Sequence, residues 1–199
     1  MNFDLQHPEP SAGAVAQKRF LRQALLAARA ALPAADRRAS DRAVCKRLSS
    51  LPALQSAQKL FAYWPLEEEI DIRPIIRETL VRKIPVGLPV CQRETKELLF
   101  RRFEKAEDLI AGAYGIPTPP DGAEILTPDE HTVCIVPALA YDKTLRRIGY
   151  GGGYYDHFLA DFPGIAVGVC YNASLLDTVF ADAHDQRVQM LVTEADVFG

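Results

Sequence analysis

The sequence contains no run of about eighteen consecutive apolar residues, which excludes a membrane-spanning helix of ordinary length. Cysteines at CxxC spacing are also missing. The four present stand at positions 45, 91, 134 and 170, a pattern that argues against a thiol-ligated metal centre and a disulfide-stapled scaffold. Cys45, Cys134 and Cys170 fall in apolar or helical-looking stretches and read as small buried hydrophobes in a reducing compartment. An excess of one charge is lacking as well: 23 basic against 26 acidic residues leave a net charge of −3, which gives no reason to expect a nucleic-acid or membrane partner. The first residues show no charged segment followed by an apolar one, so export is not expected and a cytoplasmic location is. There is no internal repeat and no low-complexity tract.

What is there is a chain of 199 residues, 48% hydrophobic and 25% charged, enough to bury a sizeable core. Residues 1–13, rich in Pro, Ser and Gly, read as a loose tail, and residues 14–199 as a single α/β domain. A first helix carries Leu21, Leu25, Ala28 and Leu32 on one face until Pro33 stops it. A second places Val44, Leu48 and Leu51 on one side and Arg38, Arg42 and Lys46 on another. The period then changes. Residues 59–64 and 83–90 have strand composition, and between them Asp71 offers an N-cap, Pro74 a first turn, and Ile72, Ile75, Ile76 and Leu80 a buried stripe. Residues 97–103 alternate like an antiparallel or edge strand, and the proline-rich residues 114–130 read as loop. Residues 132–136 form an apolar strand that ends at Pro137 and runs into a polar loop. A short helix over 154–162, a strand over 164–170 and a last strand over 187–194 complete the pattern. Strands alternating with helices imply a three-layer sandwich, a mostly parallel or mixed central sheet with helices on both faces.

Residues 146–156, RRIGYGGGYYD, pack four glycines, three tyrosines, two arginines and an aspartate into one connection between a buried strand and a helix. Glycines at 149, 151, 152 and 153 let backbone N–H groups converge on an anion. Arg146 and Arg147 add guanidinium groups suited to phosphate oxygens, and Asp156 is placed to hold a cation. Neither GxxxxGK[ST] nor GxGxxG in register is present. A flexible turn is the plainer alternative, and the flanking charges favour a phosphate site over it.

This stretch, preceded by IVPALAYD, resembles the signature of the 5-formyltetrahydrofolate cyclo-ligase, or methenyltetrahydrofolate synthetase, family. The segments KRFLR (18–22), EEEIDI (67–72) and HDQRVQMLVTE near the end match further landmarks of that family in order, so the resemblance spans about residues 17 to 195. It implies ring closure of 5-formyltetrahydrofolate to 5,10-methenyltetrahydrofolate, with ATP as cosubstrate and Mg2+ as cofactor, in a monomer whose partners are folate and ATP. By resemblance, Arg147 and Tyr154 are catalytic. Lys18, Arg22 and the loop Arg147, Ile148, Gly149, Tyr150, Gly151, Gly152, Gly153, Tyr154 and Tyr155 bind ATP. Trp64, Glu69, Tyr150, Gly151, Gly152, Gly153 and Tyr154 bind the folate, and Asp156 and Asp185 hold the metal.

The residues alone leave alternatives. Lys18 and Arg22, four apart, could be a solvated basic face; Tyr154 and Tyr155 could be core aromatics; Glu67 or Glu68 could replace Glu69; Asp185 could be a surface residue. His157 and His184 have no matched role. Ile72, Thr118, Leu145 and His157 depart from the family's usual threonine, glutamate, glycine and arginine, and Leu145 raises the expectation of a differently shaped turn. A non-catalytic folate or nucleotide binder and a sugar-phosphate isomerase or acyl-CoA transferase relative are the readings from other classes.

Overall fold

The computed structural model describes residues 14–182 and 184–199, so the tail expected over residues 1–13 lies outside the described residues. Helices α1 (Ala14–Ala30) and α2 (Ala34–Ser50) are separated by Pro33, whose extended ψ of 137° breaks the helical path. Helix α2 buries Val44, Cys45 and Leu48. A short α3 (Pro52–Ser56) leads into strand β1 (Lys59–Phe61).

Helix α4 (Arg73–Val81) has Ile72, not Asp71, at its N-cap, with no side-chain cap bond. Asp71 still meets one of the helix's free amides, because its Oδ1 accepts from the Arg73 N–H at 3.0 Å. In the buried stripe Leu80 is only half-buried, and Thr79 takes the covered position. Strands β2 (Val86–Cys91) and β3 (Leu98–Phe103) then pair antiparallel.

The proline-rich segment is not wholly loop. Strands β4 (Ile110–Ala111) and β5 (Pro117–Thr118) pair across it. After β6 (Thr132–Pro137) the expected polar loop is instead a hairpin, β7 (Ala140–Asp142) with β8 (Arg147–Ile148), closed by the buried Asp142 carboxylate. Asp142 Oδ1 accepts from the Thr144 N–H and hydroxyl and from the Arg146 N–H, so the polar turn residues fold back rather than extend. Helix α5 (Tyr154–Ala160), β9 (Ile165–Val169), β10 (Leu175–Leu176) and β11 (Met190–Val192) follow. The last strand is β12 (Val197–Phe198), beyond the one the pattern gave as final; two residues are too few to show a period.

The main sheet runs β12-β11-β9-β6-β1-β2-β3, parallel except for the two edge strands β3 and β12. Helices α2, α3 and α4 cover one face, where Leu48, Ile72 and Ile76 meet Leu60, Val86, Ile135 and Val167. Helix α5 lies over the other, where Phe61 stacks on Phe100 at 4.2 Å among Cys134, Val136 and Leu159. The expected three layers with helices on both faces are therefore present. Cys45, Cys91, Cys134 and Cys170 are all free thiols, and all but Cys91 are buried. Among the described residues no helix is long and apolar enough to cross a membrane.

Two features position the site. The chain moves one way across the sheet from β1 to β2 and the other way from β6 to β9 and β11, so the connections diverge between β1 and β6. In helix α1, Leu21 and Leu25 bury against Leu139 and against Ala140 and Ile148 of the small β10-β7-β8 sheet, which follows the C-terminal end of β6.

Candidate active site

In open α/β sheets a ligand crevice forms beyond the C-terminal strand ends where such connections diverge. The α1 face that carries Leu21 and Leu25 also carries Lys18, Arg22 and Arg29, at intervals of four and seven residues. Docking those leucines carries the cations under cover: Lys18 is 8% exposed and Arg29 5%. A solvated basic face therefore does not describe Lys18. Arg29 was missed from sequence, although it continues the spacing of Lys18 and Arg22 by two more turns of helix.

Each of the cations has a defined partner. Lys18 Nζ lies 2.6 Å from Asp182 Oδ2 and 2.6 Å from Asp185 Oδ2. Arg22 Nε donates to the Gly149 carbonyl at 2.9 Å. Arg147 Nη1 reaches Asp156 Oδ1 at 2.8 Å and the Gln186 carbonyl at 3.1 Å, while the Gln186 N–H returns to Asp156 Oδ1 at 3.1 Å. Asp156 and Asp185 are thus joined through the Gln186 backbone, across 30 positions of sequence between Asp156 and Gln186. Arg146 turns away to the Asp182 and Asp185 carbonyls.

Burial alone would lift the Asp185 carboxyl, but the hydrogen bonds from Lys18 and the Asp182 N–H, with the Lys18 charge, hold it below its ordinary value. Burial likewise would depress Lys18, and its two aspartates raise it instead.

The glycine loop is anchored by the buried Ile148. Gly151 at φ 97° and Gly153 at φ 75° occupy the left-handed region, so these two turns require glycine. Leu145 also adopts it, at φ 65°. The turn before Arg147 thus lies in a region that favours glycine, and leucine holds it under mild strain. Tyr150, 53% exposed, donates from its hydroxyl to Glu69 Oε1 at 2.9 Å, and Glu69 Oε2 accepts from the Leu66 N–H at 3.0 Å. Glu69 rather than Glu67 or Glu68 therefore faces the loop.

Tyr154 joins a core ring to a hydrogen-bonded phenol. Its ring belongs to the α5-side core, and its hydroxyl sits 3.1 Å from that of Tyr114. That hydrogen bond, with burial, pushes its phenol up to about 12. Tyr155 packs against the same core, and its hydroxyl is buried without a partner among the described residues. The Trp64 ring lies against Phe103, 5.4 Å between centroids, at the α2–α4 side of the sheet. Ile72 is core, and buried Thr118 donates to the Pro89 carbonyl at 3.1 Å, so both positions serve packing here. His157 and His184 are exposed.

Among the described residues no group of three or more His, Cys, Asp or Glu converges on a metal position. Asp156 and Asp185 offer the smaller set that suits Mg2+, which binds through one or two carboxylates, phosphate oxygens and water. Each has one oxygen with no hydrogen bond among the described residues, Asp156 Oδ2 and Asp185 Oδ1.

The chain matches the model of the 5-formyltetrahydrofolate cyclo-ligase family over residues 14–194. It is 30% identical over 183 residues to the 5-formyltetrahydrofolate cyclo-ligase of Mycolicibacterium smegmatis, covering 88% of this chain and 93% of that one. It is 28% identical over 171 residues to a probable 5-formyltetrahydrofolate cyclo-ligase of Schizosaccharomyces pombe, covering 77% and 83%. Among solved structures, that of Aquifex aeolicus 5,10-methenyltetrahydrofolate synthetase aligns with a TM-score of 0.79 at 33% identity over 91% of both chains.

Proposed function

Because the chain belongs to the 5-formyltetrahydrofolate cyclo-ligase family of enzymes, we propose that it closes the ring of 5-formyltetrahydrofolate to 5,10-methenyltetrahydrofolate, using ATP and Mg2+ and releasing ADP and phosphate. The observation that supports this reading best is the pairing of Lys18 with Asp185 and of Arg147 with Asp156 beside a glycine loop, two cations for phosphate and two carboxylates for a metal.

The formyl oxygen of a formamide is a poor leaving group. It attacks the γ-phosphorus of ATP, an O–P bond forms, the β–γ bridge breaks and ADP departs. N10 then adds to the activated carbon and loses its proton, and the C–O bond breaks to release phosphate. Little covalent chemistry falls to the protein: it aligns the two substrates, neutralises phosphate charge and excludes water. The backbone of Gly149 to Gly153 and the side chains of Lys18, Arg22 and Arg147 hold the phosphates, and Tyr155 packs on the α5-side core that follows the loop. Glu69, Tyr150 and Tyr154 hold the folate, with Trp64 at the margin. Asp156 and Asp185 would hold the metal, which supplies further charge neutralisation on the phosphates. Arriving phosphates draw Lys18 and Arg147 from their aspartates, and the freed carboxylates become available together.

Purified protein incubated with 5-formyltetrahydrofolate, ATP and MgCl2 should develop the methenyl chromophore, and omission of either nucleotide or metal should abolish it. Equal product without ATP overturns the mechanism.

A further inference from the structure

Arg29 is a buried cation without a carboxylate. It is 5% exposed, and no salt bridge joins it to any described residue. Its Nη2 donates to the Ala138 carbonyl at 2.6 Å and the Leu139 carbonyl at 3.2 Å, just past the end of β6, and its Nε has no partner among the described residues. Its Nη1 lies 3.3 Å from the Tyr150 hydroxyl oxygen. A residue needed only to staple α1 to β6 would not have to be ionic, since an unneutralised buried charge costs several kcal/mol.

The direction of these bonds carries information. A guanidinium donates and never accepts. Tyr150 must therefore accept from Arg29, and its single proton is committed to Glu69 Oε1. With the Leu66 N–H on Oε2, Glu69 is held at both oxygens as an acceptor. We propose that Arg29 is a positioning residue for the folate half of the site, acting through Tyr150 to fix the glycine-loop tip and the orientation of Glu69. This rests on the cyclo-ligase reading and extends it to a residue that touches no substrate.

Glutamine at position 29 can accept as well as donate, so it loses the fixed polarity; lysine keeps a donor-only cation. Arg29→Gln should raise the KM for 5-formyltetrahydrofolate about tenfold while moving that for ATP less than about threefold, and Arg29→Lys should recover part of the loss. In a Tyr150→Phe background the same Arg29→Gln change should add no more than about twofold. Equal increases in both KM values, or an undiminished effect in the Tyr150→Phe background, would reduce Arg29 to a structural staple. Direct titration of the Gln variant with 5-formyltetrahydrofolate guards against a folding defect, because a partly unfolded sample loses binding sites whereas a misdirected Glu69 weakens every site. If the wild-type protein neither binds nor converts 5-formyltetrahydrofolate, the cyclo-ligase reading fails; normal turnover with silent Arg29 variants defeats the Arg29 proposal alone.

Discussion

Lys18 and Asp185 are 167 positions apart in the chain and 2.6 Å apart in space. The pair ties the first helix to the loop before the last parallel strand. Its contribution to stability has two pH limits. Asp185, lowered from its ordinary 3.8, contributes stability above that value, and this is lost as pH falls through the lowered folded value. Lys18, raised from 10.5, contributes fully below that value and loses it as pH rises through the raised one. Lys18→Met should therefore cost about 1–3 kcal/mol in urea unfolding at neutral pH, and its difference from wild type should narrow once pH drops below 3.8. A gap that stays constant into strong acid would mean that the ion pair contributes nothing and only packing was lost.

Arg147 pairs with Asp156 while itself only 6% exposed. Removing the guanidinium strands a half-buried carboxylate and takes a cation from the phosphate site. Arg147→Ala should lower kcat at saturating ATP by about tenfold or more, and reduce stability by about 1–3 kcal/mol. Steady-state rates and denaturant midpoints measure the two effects separately, and unchanged kinetics would leave Arg147 a structural residue.

Gly151 combines a φ of 97° with the Arg22 guanidinium carbon 3.4 Å from where a Cβ would stand. Gly151→Ala fits beside Arg22 in ordinary contact but strains the loop by about 1 kcal/mol, because φ of 97° disfavours a side chain. The expected result is a KM for ATP raised about tenfold with a smaller change for folate. An ATP titration that matches wild type would show that the loop does not cradle the nucleotide.

Glu69 accepts from Tyr150 and from the Leu66 amide. Glu69→Gln keeps its size but replaces one acceptor oxygen with a donor, and so sets an N–H against one of those two partners. Affinity for 5-formyltetrahydrofolate should fall about tenfold and affinity for ATP hardly at all. Isothermal titration with each ligand checks this, and equal losses would place Glu69 in a general scaffold role.

Asp156 and Asp185 are both neutralised by protein cations in the described structure. Calorimetry should therefore find little Mg2+ binding to the protein alone and much more with ATP present. Asp156→Ala and Asp185→Ala should each raise the Mg2+ concentration needed for half-maximal rate, and the double variant should cost less than the sum. Strict additivity would show that the two do not share an ion.

The features that are local in sequence were legible there. Four glycines in five positions can be read directly, because left-handed turns such as those at Gly151 and Gly153 exclude side chains. So can the alternation of short apolar runs with helical stripes, since burial on both faces of a parallel sheet leaves an uninterrupted apolar segment. Arg147 and Asp156 stood out beside the glycines, whereas Lys18, Arg22, Glu69 and Asp185 did so only where the resemblance framed them. Their pairing is a property of the fold: no spacing shows that residue 18 meets residue 185, or that Asp182 joins them.

Arg29 shows the division most clearly. As a sequence it is one more arginine in a basic helix, and its burial comes from the β7–β8 hairpin, whose three- and two-residue strands carry too little period to be seen. Leu21 and Leu25 dock that hairpin and draw Arg29 onto the end of β6, where the Ala138 and Leu139 carbonyls and the Tyr150 hydroxyl replace its water. The sequence determined which face of α1 is apolar; the tertiary structure decided what that face covers, because desolvation depends on the surface that arrives from elsewhere in the chain.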